Sequence, residues 1–181
     1  MIIPAIPTTY SGVRFRSRLE ARWAAFFDLC EWPWEYEPLD LDGYIPDFVL
    51  RFKRPILVEV KPLLWSDEEH ERWGYYHART KTEASGWRGE ALILGSAFPM
   101  TMGFGSGVIG RLAERDPEIW WWEDALAFTC KFCRRPSIAH DGGSYRCRVS
   151  DCYDGREHVD NEFDFVDAFR RAGSMCQWRA A

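Results

Sequence analysis

The sequence predicts an α/β chain, more closely α+β, with a mixed central sheet flanked by helices and a small cysteine-rich element attached. Three observations predict it. An amphipathic helical stretch, "SRLEARWAAFFDLC" (residues 17–30), is followed by three short strand-like runs within residues 34–61. A second helical stretch and a continuous apolar run then lead to residue 96. Finally, four cysteines are gathered within residues 130–152. The order helix, three strands, helix, strand closes most naturally as a mixed sheet with helices packed on it.

Each element has its own physical signature. In the first helix Leu19, Trp23, Phe26, Phe27 and Cys30 fall on one stripe, and Ser17 with Glu20 three places on forms a capping-box pattern. "WPWEYEPL" alternates aromatic residues with acids, as a half-buried strand does. "YIPDFVL" and "PILVEVK" read as two further strands joined by the charged turn "RFKR". Ser66 then caps a helix that carries Asp67, Glu68 and Glu69 in its first turn and Lys81 near its end, with Gly86 stopping it. "EALILGS" suits a strand buried on both faces. "FPMTMGFGSGVIGR" is glycine-rich and irregular, "EIWWWEDALAFTC" reads as a strand or sheet edge, and Asn161–Ala172 as a last helix with Phe165, Val166, Phe169 and Ala172 on one face.

Composition narrows the classes. No run approaches the roughly 18 uncharged apolar residues of a membrane span, and "MIIPAIPTTYSG" lacks the pattern of a signal peptide. A cytoplasmic protein with no membrane partner follows by default. A net charge of −5 argues against a general nucleic-acid coat, yet basic residues are locally dense. Arg14, Arg16, Arg18 and Arg22 crowd one region, and Lys131, Arg134, Arg135, Arg146 and Arg148 another.

The chemistry is concentrated in "IPDFVLRFKRPILVEVKP". Glu59 and Lys61, two apart in a strand, share a face, while Val58 and Val60 point to the other. If the preceding strand forms a hairpin with this one, Asp47 lies close to Glu59. Two such carboxylates repel unless a cation sits between them, and a hard divalent ion removes that penalty. Lys61 beside it can orient water and stabilise charge on a phosphate. The plainer reading is an acid–base pair alternating on an exposed sheet face.

This arrangement resembles the PD-(D/E)xK nuclease superfamily. Pro46-Asp47 matches the first element of its motif, Glu59-Val60-Lys61 the second, and the element order from Ser17 to Ser96 matches its restriction-endonuclease-like core. The resemblance implies hydrolysis of DNA phosphodiester bonds, with Mg²⁺ or Mn²⁺ bound by Asp47, Glu59 and the Val60 carbonyl and with Lys61 positioning water. It gives Glu20 an assisting role, for which the capping box is an equal competitor. Relatives of the RecB exonuclease type carry a glutamine and a tyrosine on the next helix. Here that helix has Tyr75 and Tyr76 but no glutamine, which favours an endonuclease. His70 and His77 share its face, either as surface residues or turned toward DNA.

"CKFCRRPSIAHDGGSYRCRVSDC" gives Cys130-x₂-Cys133, a loop of thirteen, then Cys147-x₄-Cys152. Four thiolates in two pairs suit tetrahedral, structural Zn²⁺, with His140 as a substitute ligand because the second pair is wide. An iron–sulfur cluster is the rival, but the superfamily members that hold one place a cysteine ahead of the nuclease core. The basic residues around the cysteines make the element a clamp on a phosphate backbone. "GSGVIG" matches the dinucleotide fingerprint only literally, having no strand directly before it, and reads as a flexible loop near the active face.

The expected organisation is a nuclease-like core (residues 1–128), a zinc-binding element (129–155) and a C-terminal helix packing on the core (156–181). The expected function is a metal-dependent DNA endonuclease, acting alone, as a homodimer or with a partner protein. A non-catalytic, nuclease-like adaptor that binds DNA or protein is the alternative.

Overall fold

The computed structural model describes residues 5–66, 71–102, 106–116, 118–141, 146–152 and 162–177. Helix α1 spans Arg18–Leu29, and the Ser17 side chain accepts from the Glu20 N–H at its start. Its stripe is the centre of the core: Trp23, Phe26 and Phe27 are fully buried. The Trp23 indole donates to the Gly95 carbonyl at 2.9 Å, so this large side chain leaves no polar atom unpaired.

The sheet is built from β3 (Trp34–Tyr36), β4 (Phe48–Leu50), β5 (Ile56–Val60), β6 (Glu90–Leu94), β7 (Met100–Thr101), β8 (Gly107–Asp116), β9 (Ile119–Thr129) and β10 (Pro136–His140). Its order is β10-β9-β8-β6-β5-β4-β3, with β7 paired to β8. Among the described residues, only β5 and β6 pair in parallel. The connection between them carries a π-type turn, Glu71–Tyr75, that runs into α2 (Tyr76–Ala84). The chain is therefore mixed α and β, in the element order the sequence predicts from α1 to β6. β5 and β6 are central strands, which explains their unbroken apolar runs: every residue of Ala91–Leu94 is buried.

The structure adds a hairpin to the sequence reading and revises that reading in three places. A hairpin, β1 (Thr8–Tyr10) with β2 (Val13–Phe15), precedes α1. Ser11 and Gly12, both at positive φ, make its two-residue turn. The stretch "GSGVIG" is not a loop, because Gly107 begins the ten-residue strand β8. The last helix, α3, spans Phe165–Met175 rather than starting at Asn161, which lies outside the described residues. Asp164 caps α3 by accepting from the Asp167 N–H, and Val166 is turned outward. Asp67, Glu68, Glu69 and His70 lie outside the described residues as well.

The glycines of β8 serve packing. A Cβ on Gly110 would stand 2.2 Å from the Ile93 carbonyl oxygen, next to the register shift between Val108 and Gly110. Gly110→Ala is accordingly expected to cost about 1–3 kcal/mol by forcing β6 and β8 apart. Urea unfolding measures this, and an unchanged midpoint would contradict it.

Helix α3 closes the core over α1. The ring of Phe169 lies 4.6 Å from that of Trp23, and the Arg22 guanidinium sits 3.6 Å above the Phe169 ring while donating to its carbonyl. Arg22 is thus a packing residue, not part of a free basic surface. β10, between the two cysteine pairs, is the outer strand of the main sheet, so the cysteine-rich segment is continuous with the core. No helix among the described residues is long and apolar enough to cross a membrane.

Candidate active site

Asp47 immediately precedes β4, and the β4–β5 register that pairs Phe48 with Val58 sets it opposite Glu59. Its Oδ2 accepts the Val60 N–H at 2.7 Å, and its own carbonyl accepts the Glu37 N–H at 3.0 Å. Lys61 follows β5, where its N–H donates to the Leu94 carbonyl of the parallel neighbour at 2.9 Å. Its Nζ is ion-paired with Glu59 and stands 3.6 Å from Asp47 Oδ2. The structure thus brings Asp47, Glu59 and Lys61 together. Both carboxylates are deeply buried, at 4% and 3% exposure.

Two further residues join them. Arg16, just before α1, places its guanidinium 3.0 Å from Asp47 Oδ1 and 2.6 Å from Glu37 Oε1. Tyr44 holds its phenol 3.2 Å from Thr82 Oγ1 of α2, and burial together with the nearby Glu59 carboxylate pushes its pKa well up. Arg16 was visible in the sequence only as one of several clustered bases. Tyr44 had no signal beyond standing three residues ahead of Asp47.

Glu20 is buried beside this group, and both of its oxygens accept hydrogen bonds. Oε1 accepts from Ser17 Oγ at 2.7 Å, and Oε2 from the Tyr36 hydroxyl at 2.6 Å and the Arg16 N–H at 3.2 Å. The capping arrangement is what its geometry shows. It holds Arg16 and Tyr36 in place and adds negative charge near Asp47.

Burial drives the Asp47 carboxyl up to about 6; Lys61 pulls it down, Glu59 pushes it up, the Val60 N–H pulls it down and Glu20 adds a last upward push. Burial alone would lower the Lys61 ammonium, but Asp47 and Glu59 outweigh it and hold its pKa above the ordinary value. The Asp47 shift fixes a pH dependence. Its folded pKa lies above the unfolded value of 3.8, so between those limits the native state binds the extra proton, and stability falls as pH rises from about 4 to about 6. Asp47→Asn removes this loss. Without added divalent cation, the stability of the variant relative to wild type is expected to climb by about 2–3 kcal/mol across that window. Melting both proteins at several pH values checks it, and a pH-independent difference would contradict it.

The second cluster lies where β9 turns into β10. Cys130, Cys133, Cys147 and Cys152 have their sulfur atoms all within 4.8 Å of one another, and Cys133 Sγ is 3.8 Å from Cys147 Sγ. The edge of a zinc–thiolate tetrahedron is about 3.8 Å. These four cysteines can hold a metal ion such as zinc. The Ser150 N–H points at Cys147 Sγ, 3.5 Å away, as turns that present thiolates to metals do. All six cysteines of the chain are free thiols. His140 is not in the group. It is buried in β10, with Nε2 2.9 Å from the Trp121 carbonyl oxygen, so the substitute-ligand alternative falls away.

The basic residues around the cysteines divide sharply. Arg148 is 2% exposed and ion-paired with Glu90 and Glu114, which removes it from any DNA-contacting surface. Arg146 is mostly buried between Glu90 and Asp151. Arg134 pairs with Glu162, and Arg135 donates to the Glu31 carbonyl. Arg18 and Arg134 are exposed, as is His77, while Lys131 and Arg135 are half-buried. Tyr75 is buried and Tyr76 exposed.

No protein-family model, curated protein or solved structure matches this chain.

Proposed function

We propose that the chain is a Mg²⁺- or Mn²⁺-dependent deoxyribonuclease of the PD-(D/E)xK type, built on a restriction-endonuclease-like core and cutting within strands. The observation that carries this reading is the meeting of Asp47 and Glu59 in a buried position with Lys61 touching both. Such carboxylates are costly to keep ionised, and that cost suits a site made for a divalent cation. Asp47 and Glu59 fit the ion, since each oxygen that accepts a hydrogen bond keeps a second lone pair. With the Val60 carbonyl they would hold it, and it would supply Lewis acidity and charge neutralisation at the scissile phosphate.

The remaining work falls to the chain itself. Lys61, 28% exposed, keeps its ammonium at the mouth of the site, where it can orient the attacking water and receive charge developing on a phosphate oxygen. Arg16, which is more exposed, stands ready to exchange Asp47 for a phosphate. Arg18, Lys131, Arg134 and Arg135 keep solvent-facing positions, where a DNA phosphate would compete with partners such as Glu162 on Arg134, and zinc at the four cysteines would fix the loops that carry the last three.

A second reading, a non-catalytic adaptor that binds DNA or protein, is favoured by one feature. Arg16 and Lys61 already neutralise Asp47 and Glu59, so the site is electrostatically satisfied within the protein. Nicking of supercoiled plasmid separates the two. The nuclease reading expects Mg²⁺-dependent nicking that ceases in excess chelator and in Lys61→Ala. Identical behaviour of both proteins with and without metal leaves only the adaptor.

A further inference from the structure

β5 and β6 have a second charged end, about 20 Å along the strands from Lys61. A cavity of about 250 Å³ opens there, walled by Arg54, Arg88, Arg115 and Arg146 with Glu90 and Glu114. The two glutamates are already committed. Glu90 accepts from Arg146 at 2.8 Å and from Arg148 at 3.2 Å, and Glu114 is paired with Arg148. Asp151 is shared among Lys53, Arg54 and Arg146. Six cationic side chains therefore meet three carboxylates, in a protein whose net charge is −5.

Arg115 adds a specific feature. Its Nη1 donates to the Trp87 carbonyl, and its guanidinium lies 5.3 Å over the Trp120 ring. Its Nε is buried and has no hydrogen-bond partner among the described residues. A guanidinium held on two sides at the wall of the cavity is a fixed cation, and that suits it to an oxyanion.

We propose that this cavity is a binding site for a phosphoryl anion. Its volume is sufficient for one or two phosphoryl groups. Arg88, which is exposed, supplies donors, Arg115 a fixed cation, and Arg54 and Arg146 the surrounding positive field. Arg146 and Asp151 directly precede Cys147 and Cys152, so the metal-binding segment also sets one wall of this site. The anion has two possible sources, free diphosphate or the terminal phosphate of a DNA strand. The inference stands apart from the nuclease reading, since it uses none of Asp47, Glu59 and Lys61.

Titration calorimetry of the full chain in low-salt, magnesium-free buffer tests it. The probes are sodium diphosphate and a thymidine octamer with and without a 5′-phosphate. One saturable site is expected for at least one phosphorylated probe. Arg88→Ala and Arg115→Gln are each expected to weaken binding on the order of tenfold. Diphosphate binding alone identifies a free anion, and binding of the octamer only when phosphorylated identifies a strand end. Lys61→Ala is expected to bind like wild type, so loss of cleavage and loss of this site are separable. Arg88 is exposed, and its variant carries the test even if Arg115→Gln fails to fold. Absence of saturable binding, or affinities unchanged in Arg88→Ala, would overturn the proposal.

Discussion

Lys61→Ala is expected to cut DNA at least on the order of 100-fold more slowly than wild type while keeping its fold. The backbone of Lys61 is held by the Leu94 carbonyl, so the substitution leaves the β5–β6 ladder intact and deletes only the ammonium. That ammonium is ion-paired with Glu59, lies 3.6 Å from Asp47, and is the one member of the trio with appreciable exposure. Its loss removes the group that can meet water and phosphate. It also removes the strongest influence pulling the Asp47 carboxyl back from its raised pKa of about 6. The variant is therefore expected to lose stability more steeply than wild type as pH rises past that value. Rates of nicking give the first effect and melting curves the second. A Lys61→Ala protein that cuts at the wild-type rate would remove Lys61 from the chemistry.

The largest stability effect is expected from Cys130→Ser. Purified protein is expected to hold about one equivalent of zinc, and the variant to lose both metal and solubility. Metal binding by four thiolates is worth on the order of 10 kcal/mol and is expressed as folding free energy. In an isolated ribbon that loss would stay local. Here Cys130 and Cys147 are buried in the main core with Phe128, Ile138 and Phe165, and the Phe163 N–H donates to Thr129 Oγ1 at 3.2 Å. Damage at the cluster is thus transmitted to β9, β10 and the start of α3. Elemental analysis with circular dichroism checks this, and iron in place of zinc, or no metal, would overturn the assignment.

What could be read from the sequence followed from how local each signal was. The α1 stripe, the alternation in β3 and the apolar runs of β4, β5 and β6 each depend on a few consecutive side chains, and all five elements are in place. The cysteine spacing also needed no tertiary information. β8 escaped because its glycines, which read as a flexible loop, are there to let β6 and β7 approach: a Cβ on Gly107 would stand 2.5 Å from the Met100 carbonyl oxygen. Strands β1 and β2, TTY and VRF, escaped because no apolar run sets them off from the threonines and arginines around them. At the site, Asp47, Glu59 and Lys61 were legible because strand register relates them. Arg16 reaches Asp47 across 31 residues and Tyr44 meets Thr82 across 38, and no local pattern encodes such contacts. The basic residues near the cysteines misled most. Charge counted along the chain could not foresee that Glu90 and Glu114 bury Arg148.

The most direct measurement is calorimetric titration of Mg²⁺ into wild-type protein and into Asp47→Asn and Glu59→Gln, each checked to be folded. Carboxylates paired around a divalent ion require one saturable site in wild type, with affinity at least tenfold lower in both variants. If wild type takes up no Mg²⁺, or if both variants bind it as wild type does, Asp47 and Glu59 are not ligands and the nuclease reading falls.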